Sequence, residues 1–241
     1  QDRRAALEPL LADAGLAAFL GAAFGDCPFL LDLATKDAER LAAILGEAPE
    51  DRIKRQIAAL AASEWATRPE AMAALRKAKQ NVALTLALAD LGGAVPLSVA
   101  TASLTEFADA ALQAALRFAL DDAARSGKWM GGSEAPGFFF LALGKHGAHE
   151  LNYSSDIDVI ALYDPKAPGV AESVEPSSFW VRIVRTVVAI LQERTADGYV
   201  FRADLRLRPD PGATPVALSA PAALLYYESM GQNWERAALI K

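Results

Sequence analysis

The chain has 241 residues, 53% of them hydrophobic, with a net charge of −6 and one cysteine, Cys27. That much apolar side chain excludes a disordered chain, and no apolar run approaches the ~20 residues that a membrane-spanning helix needs. The acidic balance argues against a wide grip on nucleic acid, and a lone cysteine excludes an internal disulfide or a cysteine-based zinc site.

The length suits two domains, at roughly 100–200 residues each. The start, Gln1-Asp2-Arg3-Arg4, lacks the apolar core of a signal peptide. A first residue other than Met, and Lys241 inside a helical pattern, read as a fragment of a longer chain. The cysteine usage fits a reducing cytoplasm.

Residues 1–130 read as helices rich in Ala and Leu. The first is expected from Arg3 to about Leu20, broken by Gly21 and Gly25. Asp26-Cys27-Pro28 reads as a cap with proline in the first turn. Asp37 to Leu45 and Pro49 to Ser63 follow, then a longer helix from Pro69 to Asp90. Its Arg76, Lys77 and Lys79 read as a solvated face, with the lining of a cleft beside the second domain as the alternative. Ser103-Leu104-Thr105-Glu106 matches a capping box, so the last helix is expected to begin near Ser103. Leu104, Phe107, Ala108, Ala111, Leu112 and Ala115 then keep the helical period.

Ser126-Gly127 and Gly131-Gly132-Ser133 mark a change of composition and a domain junction near residue 130. Residues 131–241 mix strands and helices, so the fold class is α+β. Phe138 to Leu143 reads as a buried strand. The chain pauses at Gly144-Lys145 and resumes as a strand from Asp156 to Tyr163. Ser177 to Thr195 is helical, with Val181, Val184, Val188 and Leu191 inward. From Phe201 to Pro209 the pattern alternates, with Arg202, Asp204, Arg206 and Arg208 on one face.

Two of these segments point to chemistry. Alternation puts Asp156 and Asp158 on one strand face, with Ile157 and Val159 turned to the core. Adjacent carboxylates repel each other, and a divalent cation between them relieves that; oxygen-only ligands favour Mg²⁺ or Mn²⁺. Asp204 has two readings. It is a third ligand beside arginines that face phosphates, or it belongs to a solvated face of internal Arg–Asp pairs. Gly144-Lys145 is no Walker A loop, because His146 stands where Ser or Thr is needed. His146 and His149 read as exposed loop donors rather than metal ligands. Trp65, Trp129, Trp180 and Trp234 read as packing residues.

Leu143-Gly144 followed by Asp156-Ile157-Asp158 resembles the nucleotidyltransferase superfamily that includes DNA polymerase β. The longer string is more specific. Leu143-Gly144-Lys145-His146-Gly147, Glu150-Leu151-Asn152-Tyr153-Ser154-Ser155-Asp156-Ile157-Asp158, Val200 to Pro209 and Asn233-Trp234-Glu235-Arg236-Ala237 resemble the glutamine synthetase adenylyltransferase family. His146, Ala148 and His149 depart from its pattern.

That resemblance implies a helical N-terminal region followed by a polymerase-β-like nucleotidyltransferase domain with a mixed sheet and flanking helices. It implies catalytic and metal-ligating roles for Asp156, Asp158 and Asp204, holding Mg²⁺ or Mn²⁺. Gly144, Lys145, Ser155, Arg206 and Arg208 become candidate contacts to nucleotide or phosphate. Asn152, Ser154-Ser155 and Phe201-Arg202 resemble the half that removes AMP. The implied reaction is phosphorolysis of AMP-modified glutamine synthetase, with inorganic phosphate as attacker and ADP as product, under a PII-type signal protein in the cytoplasm. Adenylylation from ATP on the same residues, or a non-catalytic module that binds glutamine synthetase or PII, are the alternatives. Neither nucleic acid nor a membrane is an expected partner.

Overall fold

The computed structural model describes residue 8 and residues 11–132 and 134–240. The helix expected from Arg3 begins outside them. The first fully described helix, α1 (Ala14–Asp26), starts where the Asp13 carboxylate accepts from the Gly15 and Leu16 amides. Gly21 and Gly25 lie inside it and do not break it. Pro28 opens α2 (Pro28–Lys36) as expected, and Asp37 caps α3 (Ala38–Leu45) through the Arg40 amide. Then come α4 (Pro49–Ala61) and α5 (Arg68–Leu91), the latter capped by the Thr67 hydroxyl.

The next helix differs from expectation. α6 runs unbroken over Leu97–Arg125, with Ser103 in its interior and Pro96 before its first turn. Proline fixes φ and needs no amide partner, so Pro96 starts the helix without a side-chain cap. The Thr105 hydroxyl donates back to the Thr101 carbonyl inside this helix, and no helix starts at the Ser103 box. Leu104, Phe107, Ala108, Ala111 and Ala115 all lose contact with solvent. Among the described residues no single helix is long and apolar enough to cross a membrane.

The sheet begins with β1 (Phe138–Leu143), which pairs antiparallel with β2 (Ile157–Tyr163). A short turn of helix, α7 (Gly144–Gly147), stands between them. α8 (Pro176–Gln192) follows, its first amides received by the Glu175 carboxylate. β3 (Ala203–Asp204) and β4 (Ala217–Ser219) both pair parallel with β2, at successive stretches of one edge. Antiparallel and parallel pairs together make a mixed sheet, and the α+β class stands. α9 (Ala220–Ser229) and α10 (Asn233–Ala238) end the described chain.

β1 was expected to be buried, yet Phe139 and Leu141 are exposed. β1 is an edge strand covered on one face only, so alternate side chains meet water. The covered face meets α8, where Phe138 stacks on Trp180 at 4.4 Å and Trp180 meets Trp129 edge-on at 5.4 Å. One apolar cluster runs from Ile53 and Leu75 through Phe107 and Leu120 to Val159, Val184 and Ala217. It includes residues from both sides of the junction near residue 130.

Candidate active site

β2 positions the site. Its apolar side chains Ile157 and Val159 are buried, as the alternation requires. Asp158 points the other way, and in the register it lies opposite Leu143 on one side and Asp204 on the other. Paired residues on neighbouring strands point to the same face, with strands about 4.8 Å apart. So Asp158 and Asp204 stand side by side at the end of β1, and Asp156 precedes β2 by one residue.

Gly144 follows β1 directly, with a φ of 57°. A Cβ there would sit 2.8 Å from Asp158 Oδ2. Only glycine takes that backbone conformation without strain while leaving the carboxylate room. Lys145 is exposed beside it. Ser155 is engaged locally: its hydroxyl donates to Asn152 Oδ1 at 2.9 Å and accepts from the Asn152 amide at 3.1 Å.

The expected alternating strand Phe201–Pro209 is only two residues long. Beyond Asp204 the chain turns, which changes the role of each arginine. Arg202 donates to Asp156 and to the Ser154 carbonyl. Arg206 turns back onto Asp204: its Nε lies 3.0 and 2.9 Å from the two carboxylate oxygens, and its Nη2 also donates. The Arg206 amide donates to Asp204 Oδ1 at 2.8 Å. Arg208 does not share a face with them. Its guanidinium donates to the carbonyls of Leu205, Pro211, Thr214 and Pro215 and so ties together the loop after β3.

The electrostatics follow from this arrangement. Burial, then the neighbouring Asp204 and Asp156, push the Asp158 carboxyl above its ordinary range. The Arg206 hydrogen bonds hold Asp204 below it. Arg206 is itself raised, chiefly by Asp204, with smaller contributions from Asp156 and Asp158. All three carboxylates therefore lie within electrostatic reach of one guanidinium.

Among the described residues, no three Asp, Glu, His or Cys side chains converge tightly enough to hold an ion as they stand. Arg202 pairs with Asp156 and Arg206 with Asp204. The donor set itself fits a hard divalent cation. It is all oxygen, it carries surplus negative charge at Asp158, and it already draws a cationic group to its centre.

Three features were not read from the sequence. His146 is buried, not exposed, and its Nε2 lies 2.7 Å from Asp109 Oδ1 on α6, which pins α7 to the helical region. Tyr153 OH reaches Asp90 on α5 at 3.4 Å. Arg76 and Lys79 are not solvated. Arg76 is fully buried and donates to the carbonyls of Met72, Ile190, Glu193 and Gly198. The Lys79 ammonium is shut off from water, 3.9 Å from the Phe201 ring centre. A charge run shows which side chains are polar, not which helix will end against them. Trp234, by contrast, is exposed rather than packed.

Residues 17–241 match the family model described as glutamate-ammonia ligase adenylyltransferase. Similar curated proteins bear the name bifunctional glutamine synthetase adenylyltransferase/adenylyl-removing enzyme. That of Xanthobacter autotrophicus is 50% identical over 99% of this chain, that of Bradyrhizobium sp. (strain ORS 278) 48% over 89%, and that of Rhizobium meliloti 46% over 96%. The chain spans about a quarter of the length of these relatives: 25%, 22% and 25% respectively. With a matched model across nearly its whole length, this chain belongs to the glutamate-ammonia ligase adenylyltransferase family.

Proposed function

We propose that this chain removes AMP from a tyrosine of AMP-modified glutamine synthetase by phosphorolysis. The observation that carries this reading is the pairing of Asp158 with Asp204 beside Gly144, with Asp156 and two arginines around them. Support for the removing direction comes from Asn152, Ser154-Ser155 and Phe201-Arg202, which resemble the AMP-removing half of such enzymes. The relatives' name includes both directions.

In the reaction an oxygen of inorganic phosphate bonds to the AMP phosphorus, and the bond from phosphorus to the tyrosine oxygen breaks. The products are ADP and tyrosine, whose phenolate takes up a proton. Asp156, Asp158 and Asp204 would hold Mg²⁺ or Mn²⁺, which when bound neutralises charge on the phosphoryl oxygens. Gly144 leaves space for phosphate oxygens close to the backbone. Lys145, reaching from the same turn, offsets negative charge on the incoming phosphate. Ser155, once released from Asn152, is a donor to a phosphoryl oxygen. Arg208 shapes the loop after β3 and so sets one wall of the site. A PII-type partner and a cytoplasmic setting belong to the same proposal.

The test is incubation of the chain with AMP-modified glutamine synthetase, Mg²⁺ and phosphate. Phosphate-dependent ADP release, lost in Asp158→Asn, is the expected result. Transfer of AMP from ATP to unmodified synthetase, without ADP release from the modified form, would assign the opposite direction.

A further inference from the structure

Of the three carboxylates, Asp158 carries no arginine ion pair among the described residues, whereas Asp156 and Asp204 each carry one. The Arg206–Asp204 pair has an unusual construction. Asp204 is largely buried, with 16% of its side chain exposed, while the Arg206 side chain is 82% exposed. An exposed guanidinium thus reaches down and chelates a carboxylate that is largely shielded from water. Asp204 does not depend on that side chain for its position, because the Arg206 backbone amide holds Oδ1 and the β2–β3 register fixes the strand.

We infer that Arg206 and a divalent cation compete for the Asp204 carboxylate, and that the cation releases the guanidinium to bind a phosphate oxyanion. This rests on the three-aspartate metal reading above and goes beyond it. The pair is exposed on one side, so it is a weak contact and displaceable by a doubly charged ion. Once turned away, the planar fork is free for two parallel hydrogen bonds to phosphate. Cation and phosphate then favour each other's binding, because each profits from the same movement. Asp158, with no guanidinium to displace, is where the cation binds first.

Direct Mn²⁺ binding to the chain, measured by calorimetry without any turnover, tests this. R206A leaves the backbone amide on Asp204, and its Mn²⁺ affinity should rise about two- to fivefold, the scale of an exposed ion pair. R206K keeps the charge but loses the fork, and its affinity should also rise. Inorganic phosphate should tighten Mn²⁺ binding in the wild type and less so in R206A. Circular dichroism verifies that each variant is folded. Unchanged or weaker Mn²⁺ binding in R206A overturns the proposal. A rise in R206A with R206K equal to wild type also overturns it, since only charge at a distance would then matter. If neither wild type nor R206A binds Mn²⁺, or D158N binds it as well as wild type, the metal reading itself fails, and this inference with it.

Discussion

Gly144 shows how much of the site depends on a missing atom. At its φ of 57°, alanine would be strained, and its Cβ would lie within 2.8 Å of an Asp158 carboxylate oxygen. Asp158 cannot retreat without leaving its place beside Asp204. Gly144→Ala should therefore lower stability by about 1–2 kcal/mol and cut ADP release far more, by at least about a hundredfold. Denaturant titration and the phosphorolysis assay read the two effects separately. Lys79 offers a different residue-scale prediction. Burial pushes its ammonium from 10.5 down to about 7. The unfolded chain thus holds a proton that the folded chain sheds between about pH 7 and 10.5. The resulting cost to folding is complete below pH 7 and disappears as pH rises through that window. Lys79→Met should be the more stable protein at pH 7, by a few kcal/mol, and the gap should close by about pH 10. Urea midpoints across that range measure it.

At the scale of elements, Arg76 joins α5 to the end of α8. Its guanidinium satisfies carbonyls at Ile190, in the last turn of α8, at Glu193 directly after it, and at Gly198, in the turn that leads to β3. Helix ends leave carbonyls without partners, and here a buried cation serves them from outside the helix. Arg76→Leu should cost about 2–4 kcal/mol, because several buried acceptors lose their donor at once. Arg76→Lys should recover only part of that, since one ammonium cannot reach acceptors spread over the fork. Chemical denaturation of the pair gives the comparison. The helices themselves were largely legible. Pro28, Asp37 and Pro49 act where local chemistry says they should. Gly21 and Gly25 sit on the exposed side of α1, and the helix runs through them because its other face, Leu16, Phe19, Leu20, Ala23 and Phe24, packs into an apolar cluster. The Ser103 box lies within α6, whose Ala100, Leu104 and Phe107 are buried on either side of it.

For the whole molecule, the decisive feature is the apolar cluster that joins α4, α5, α6 and α8 to the sheet, while α1, α2 and α3 pack in a second cluster against the later part of α5. Trp129, Phe138, Phe179 and Trp180 pack ring against ring where the helical region meets the sheet. Because α5 contributes to both clusters, unfolding followed by far-ultraviolet circular dichroism and by tryptophan fluorescence should give coincident transitions. Trp180→Ala should lower the stability by about 3–5 kcal/mol and shift both transitions equally. Two separated transitions would mean that the regions fold independently. What residue order alone determined is the set of groups that can do chemistry: the Asp-x-Asp strand, the glycine before it, the later Asp among arginines, and the family. These are written in local spacing, which fixes the period of a strand and the conformation of a turn. Only the tertiary structure decided which arginine meets which carboxylate, that Arg208 serves its own loop, and that Arg76, Lys79 and His146 are buried. Those outcomes depend on strand register and on where one helix ends against another, and contacts between residues distant in the chain leave no periodic trace in it.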